Sequence, residues 1–170
     1  MSKFLCQPLT KQHDRKSFDC GIDALDEYLR LRASQDMRRR VAAVFVMVPD
    51  NDPQRICGYY TLSSASVVLD ELPQELVAKL PRYPVVPAVL IGRLARDVNF
   101  PGIGKLLLLD ALARASQHAA DVASAVVLVD AKNDAAGQFY ARYGFSELQK
   151  TPRRMFLPMA TVEKLLKPKF

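Results

Sequence analysis

Histidine and cysteine are scarce in this 170-residue chain, and their scarcity narrows the chemistry it can perform. The two histidines, His13 and His118, stand in no metal-ligand spacing. The three cysteines, Cys6, Cys20 and Cys57, are odd in number and form no CxxC pair, which argues against a disulfide framework and a zinc site. No metal is expected. No apolar run reaches the roughly 20 residues of a membrane span. Met1 to Thr10 lacks the basic start and apolar stretch of a signal peptide. The expectation is a cytoplasmic protein with no membrane association. Acidic residues are the minority: 24 lysines and arginines face 18 aspartates and glutamates, for a formal net charge of +6.

What is present suits a globular fold. Hydrophobic residues make up 49% and charged residues 25% of the chain. The length fits one domain over residues 1–170, large enough to bury a core. The excess cations are unevenly placed. Arg30, Arg32, Arg38, Arg39 and Arg40 crowd one stretch relieved only by Asp36. From Leu148 to Phe170, Lys150, Arg153, Arg154, Lys164, Lys167 and Lys169 face only Glu163. Such clusters favour an anionic partner such as RNA; a solvated basic surface is the other reading.

Periodicity and punctuation give the elements. Leu5 to Leu9 reads as a first strand. Asp19 reads as the N-cap of a helix through roughly Arg30, followed by a helical piece over Ala33 to Arg39. Val41 to Val48 and Ile56 to Ser66 read as a hairpin around the Pro49–Pro53 turn. Leu72 to Leu80 reads as a helix closed by Pro81, and Ala88 to Ala95 as a strand. Helices follow over Gly102 to Gln117 and Asp134 to Tyr143, the second capped by Gly144, with a buried strand over Ala125 to Val129 between them. Phe145 to Leu148 and Met155 to Leu157 close the sheet, and Thr161 to Leu166 forms a last helix. The order predicts an α+β fold, an α/β sandwich on a mixed, mostly antiparallel central sheet.

Two motifs stand out. In Asn99-Phe100-Pro101-Gly102-Ile103-Gly104, between strand and helix, glycines let the backbone approach an anion at a helix start. A tight turn opening a helix is the alternative. The stretch is neither a P-loop nor a dinucleotide fingerprint, because Leu106 and Leu107 stand where Ser/Thr and the third glycine belong. The second motif is Val129-Asp130-Ala131-Lys132-Asn133 followed by Phe139-Tyr140-Ala141-Arg142-Tyr143-Gly144-Phe145. Phe139 and Phe145 read as core; Tyr140 reads as more than core only if it reaches a substrate.

These motifs, with Phe18-Asp19-Cys20-Gly21, Leu25-Asp26-Glu27-Tyr28-Leu29, Gly58-Tyr59-Tyr60-Thr61-Leu62 and Pro87 to Ala95, resemble the GNAT (Gcn5-related N-acetyltransferase) family over nearly the whole chain and in its order. The likeness is to its branch of TacT/AtaT-type toxins from toxin–antitoxin pairs. That resemblance implies a V-shaped acetyl-CoA cleft between two parallel central strands. It implies pantetheine contacts at Leu94, Ala95 and Arg96, and pyrophosphate contacts around Asn99, Gly102, Ile103, Gly104 and Lys105, with Asn133 a further cofactor residue. Tyr140 matches the family's general acid. It also implies aminoacyl-tRNA as acceptor, a ribbon-helix-helix antitoxin as partner and a homodimer. Arg38, Arg39, Arg40, Arg93, Arg153 and Arg154 are candidates for RNA backbone contacts. The chain departs from the family pattern in four ways. Asn99 holds an Arg/Gln position, the segment from Asp97 to Gly102 is about two residues short, Pro101 has no N–H, and Arg96 replaces an apolar residue.

The implied reaction needs a neutral amine, a stabilised oxyanion and a proton for the leaving thiolate. A free α-amine titrates near ~7.7–8.0 and needs no dedicated base. A backbone N–H around Leu94 to Arg96 would meet the oxyanion. Acetylation of a protein or small-molecule amine, and a non-catalytic binding module of the same fold, are the alternatives.

Overall fold

The computed structural model describes residues 3–168; Lys169 of the C-terminal basic cluster lies outside the described residues. The strands of the hairpin are buried over continuous runs, Val46 to Pro49 in one and Gly58 to Thr61 in the other. In β2 (Ala43–Pro49), Val44, Val46 and Val48 turn inward. β2 pairs antiparallel with β1 (Phe4–Pro8) and with β3 (Gly58–Val68), in the register Met47↔Gly58 to Ala43↔Leu62. The expected hairpin is therefore present. β4 (Val85–Arg96) and β5 (Val126–Asp130) run parallel, while β7 (Arg154–Pro158) pairs antiparallel with β5 and with the two-residue β6 (Ser146–Glu147). The hydrogen-bonding order is β1-β2-β3-β4-β5-β7-β6. This is the mixed, mostly antiparallel sheet that the sequence predicts.

The helices show where sequence reading and local physics part. Asp19 caps no helix. Its carboxylate accepts the Gly21 N–H at 2.9 Å in a local turn, and α1 (Asp23–Glu27) starts four residues later. The helix expected through Arg30 changes pitch. A π-helical turn occupies Tyr28–Arg32, with the Ala33 N–H donating to the Tyr28 carbonyl, and α2 (Ala33–Arg38) follows. The helix expected over Leu72 to Leu80 shrinks to α3 (Gln74–Val77). Pro73 precedes it, and Lys79 and Leu80 bond three residues back, tightening the tail before Pro81. α4 (Gly104–Asp121) starts after Gly102 and outruns its expected end. α5 (Asp134–Arg142) is closed by Gly144 at φ +97°, and α6 (Met159–Leu166) begins two residues before its expected start.

Contacts group the chain into two units. One comprises residues up to Ser63 with Gly92–Ala111; Leu25, Leu29, Val46, Ile56 and Tyr59 anchor its core. The other comprises Ser64–Ile91 with residues from Leu112 on, built around Val86, Val126, Leu128 and Phe156. β4 and α4 run through both.

In the first unit, Gly58 marks a close approach. A Cβ there would lie 2.5 Å from Leu107 Cδ1 and 3.0 Å from the Ala95 carbonyl oxygen. Gly58→Ala should therefore destabilise the protein by about 1–3 kcal/mol through overpacking. Urea unfolding would show this as a lower midpoint at unchanged m, and an unchanged midpoint would contradict the close packing of β3 against α4.

Candidate active site

The residues that the sequence singles out fall into two sets, one in each unit. The first lies where β4 gives way to α4. The register of β4 with β5 ends at Ile91↔Val129, and Leu94, Ala95 and Arg96 lie beyond it. Ala95 packs into the core; Arg96 is exposed and donates from Nη1 to the Asp97 carbonyl at 3.4 Å. Asp97 is 0% exposed. Its carboxylate accepts from the Asp19 N–H at 3.0 Å, the Asn99 N–H at 2.8 Å and Arg55 Nη2 at 3.1 Å. Arg55 also donates to the Ser17 carbonyl and lies 5.4 Å from the Phe100 ring centroid.

This knot decides which loop amides remain for a ligand. The Val98 N–H goes to the Asp19 carbonyl, the Asn99 N–H to Asp97 and the Phe100 N–H to the Asp97 carbonyl; Pro101 has none. Among the described residues, no protein acceptor takes the N–H groups of Gly102, Ile103, Gly104, Lys105 and Leu106. They open an 18-residue helix, where the dipole adds positive potential. Gly102 sits at φ +86° with nothing within 4 Å of where a Cβ would stand, and Lys105 is exposed beside it. The donors left for an anion such as a pyrophosphate are thus those of the helix start, and not the Asn99 N–H.

In the same unit, the Arg93 guanidinium carbon stands 3.5 Å from the centroid of the Tyr28 ring. Tyr28 stacks on Tyr59 and donates its hydroxyl proton to Asp36 at 2.8 Å. Burial first, then the Asp36 bond, push the Tyr28 pKa up to about 12. The Arg93 backbone N–H donates to Thr61 Oγ1 at 3.1 Å. Its planar charge is therefore held at both ends. Arg38, Arg39 and Arg40 are exposed at the end of α2, with Arg40 at φ +58°.

The second set surrounds α5. Tyr140 is buried among Phe139 and Phe145. Burial, with the negative charge of Asp130 second, raises its pKa above the usual tyrosine range. Asp130 is held by Arg154 through a two-point contact, Nε to Oδ1 at 2.8 Å and Nη2 to Oδ2 at 3.1 Å. Asn133 is the N-cap of α5, its Oδ1 accepting the Ala136 N–H at 2.9 Å. Asn133 and Arg153 line one groove of about 670 Å³, and Arg153, at φ +63°, pairs with Asp134 at 3.3 Å. Among the described residues, no group of three or more His, Cys, Asp or Glu side chains could hold a metal ion.

Sequence reasoning missed Asp97, Arg55 and the platform role of Tyr28. Asp97 had a faint signal, an acid ending an apolar strand just before a glycine loop. Arg55 had none, because its partner lies 42 positions away.

Solved structures define the class. AtaT complexed with acetyl-methionyl-tRNAfMet matches the chain with a TM-score of 0.88 at 27% identity, over 97% of this chain and all of that one. A tyrosine-to-phenylalanine variant of KacT matches equally well, TM-score 0.88 at 27% identity over 95% of this chain and 98% of that one. The fold is that of a GNAT acetyltransferase. No protein-family model matches the sequence. A probable toxin TacT of Sinorhizobium fredii (strain NBRC 101917 / NGR234) is 33% identical over 97% of the chain and 96% of its own length. A tRNA-acetylating toxin of Mycobacterium tuberculosis (strain ATCC 25618 / H37Rv) is 33% identical over 90% of each. The chain belongs to the TacT/AtaT-type toxin family of GNAT acetyltransferases.

Removing the Asp97 carboxylate leaves the Asp19 and Asn99 N–H groups and Arg55 without their shared acceptor. Asp97→Ala should cost about 3 kcal/mol of stability, as for breaking a buried pair. Chemical denaturation measures this, and a loss under about 1 kcal/mol would reduce the knot to a surface contact.

Proposed function

We propose that this chain transfers an acetyl group from acetyl-CoA to the α-amine of aminoacyl-tRNA and so acts as a toxin that blocks translation. The observation that carries this reading is likeness over nearly the full length to a tRNA-acetylating toxin and to AtaT bound to acetyl-methionyl-tRNAfMet. AtaT has also been solved with acetyl-CoA and with the C-terminus of its antitoxin AtaR, and KacTA has been solved with DNA. By the same reading, residues 1–170 act as one catalytic domain in the cytoplasm, as a homodimer restrained by a ribbon-helix-helix antitoxin.

Acetyl-CoA supplies the activated acetyl thioester. The N–H groups of Gly102 to Leu106, with Lys105, hold its pyrophosphate. Backbone groups of Leu94, Ala95 and Arg96 take the pantetheine and offer an N–H to the developing oxyanion. Asn99 and Asn133 contribute side-chain amides. Asn133 has its Oδ1 committed to the α5 cap, so it offers Nδ2. The amine nitrogen bonds to the acetyl carbon, the C–S bond breaks as Tyr140 gives its hydroxyl proton to the departing sulfur, and the proton shed by the nitrogen restores the phenol, leaving amide and thiol. Arg38, Arg39, Arg40, Arg93 and Arg153 meet RNA phosphates; Arg154, whose Nε and Nη2 hold Asp130, offers the remaining Nη1.

The test is labelled acetyl-CoA with a pool of charged tRNAs. Label should appear on the aminoacyl end. Tyr140→Phe should lower kcat by about 10²–10⁴-fold, with acetyl-CoA affinity unchanged. The tyrosine pKa is raised above its ordinary value of about 10, so its proton is fully present below that pH. The kcat profile should therefore rise through about 7.7–8.0 with the acceptor amine and show no descending limb before about pH 10. Label on a protein or small amine instead would assign another acceptor. Loss of acetyl-CoA binding in Tyr140→Phe would make Tyr140 a binding residue.

A further inference from the structure

The loop after β1 and the π-helical turn before α2 enclose a cleft of about 400 Å³ in the first unit. Lys11, His13, Asp14, Arg15, Lys16 and Arg30 line it, with Leu31 the one apolar side chain. Lys11, Lys16 and Arg30 are exposed, and none of them has a carboxylate within ion-pair distance among the described residues. Arg15 is half-buried and pinned. Its Nη1 donates to the Leu29 carbonyl and its Nη2 to the Thr10 carbonyl, each at 3.4 Å. Asp14 is the one acid in the lining, and both of its oxygens are engaged by Ser17, through the backbone N–H at 3.2 Å and the hydroxyl at 2.5 Å. His13 is 7% exposed, with Nδ1 accepting the Thr10 N–H at 3.0 Å. Four cations thus converge on one concavity against a single acid that is already hydrogen-bonded.

Like charges directed into a concave surface repel one another and concentrate anions there. The exposed arginines at the end of α2 are not among the residues that line this cleft. We propose that this cleft is a docking site for backbone phosphates of the RNA acceptor, additional to the arginines assigned above. It rests on the reading of tRNA as acceptor. The lining offers no aromatic anchor for a protein partner. CoA phosphates already have the amides of Gly102 to Leu106.

The test compares the wild-type chain with the K11E/K16E/R30E variant and the milder K11Q/K16Q/R30Q variant. Anisotropy with fluorescent uncharged tRNA would be read from 50 to 200 mM salt, alongside calorimetry with acetyl-CoA and thermal melting. Both variants should melt with the wild type and bind acetyl-CoA equally. Tenfold or weaker tRNA binding is expected at low salt, with a log–log salt slope shallower by about 2. An unchanged slope overturns the cleft. So does lost acetyl-CoA affinity, which would make it a nucleotide site, and so does a wild-type chain that binds no tRNA. Acetyl transfer to charged tRNA separates this proposal from the functional reading. Transfer by the wild type with an unchanged slope in the variants sinks the cleft alone. A lost slope with no transfer by the wild type sinks the acceptor chemistry alone.

Discussion

A carboxylate held wholly out of water needs a full set of donors, and Asp97 has them: two backbone N–H groups from opposite ends of the unit's sequence and the Arg55 guanidinium. This single requirement sets the geometry of the ligand loop. By drawing the Asn99 N–H inward, and by leaving its own carbonyl to Phe100, Asp97 consumes the amides that would otherwise face outward before Pro101. The remaining donors are those of Gly102 to Leu106, at and just before the start of α4. The shortened loop and the missing proline donor are then consistent with each other. Under the proposed function, an anion held by amides at the helix start does not need donors from the loop before it.

The cations divide by what already holds them. Arg55 and Arg154 are committed to acids inside their own units, and each fixes a loop or strand end. Arg93 is held by a ring face and its backbone rather than by an acid, so its charge is oriented without being neutralised. Arg38 to Arg40 and the lysines of the β1–α1 loop are held by nothing of opposite charge among the described residues. A net charge of +6 therefore understates the contrast. Paired arginines contribute to the fold, while the unpaired ones leave positive potential at the surface, which under the proposed function would attract the RNA and make its binding salt-dependent.

Patterns that depend on neighbours in sequence were legible. The hairpin, the glycine turn and the FYxxxGF helix with its Gly144 cap follow from spacing of two or three and a half residues and from turn chemistry, while the parallel pairing of β4 and β5 was implied by the family resemblance alone. What escaped depends on distance along the chain. Asp19 looked like a helix cap because its local sequence permits one; its N–H and carbonyl are instead spent on Asp97 and Val98, 78 and 79 positions away, and the helix starts later. The π-helical turn at Tyr28 could not be read from periodicity either. It places Tyr28 between Tyr59 and Arg93, and both of those contacts are long-range.

Under the proposed mechanism, a chain with so little histidine handles its proton through Tyr140. Histidine titrates near neutrality and must be tuned to stay protonated, whereas a tyrosine begins protonated and needs only to be kept so. Burial among Phe139 and Phe145 does this for Tyr140, and the Asp130 carboxylate adds to it. Arg154 is the counterweight. Without its two-point hold, Asp130 would be a partly exposed acid free to turn away from the end of β5. With it, the carboxylate is fixed at the end of β5, and its charge adds to burial in favouring the protonated phenol. A donor that is too weak would leave the departing thiolate unprotonated. Under the proposed mechanism, a tyrosine kept protonated in this way still holds its proton at the pH where the acceptor amine becomes neutral.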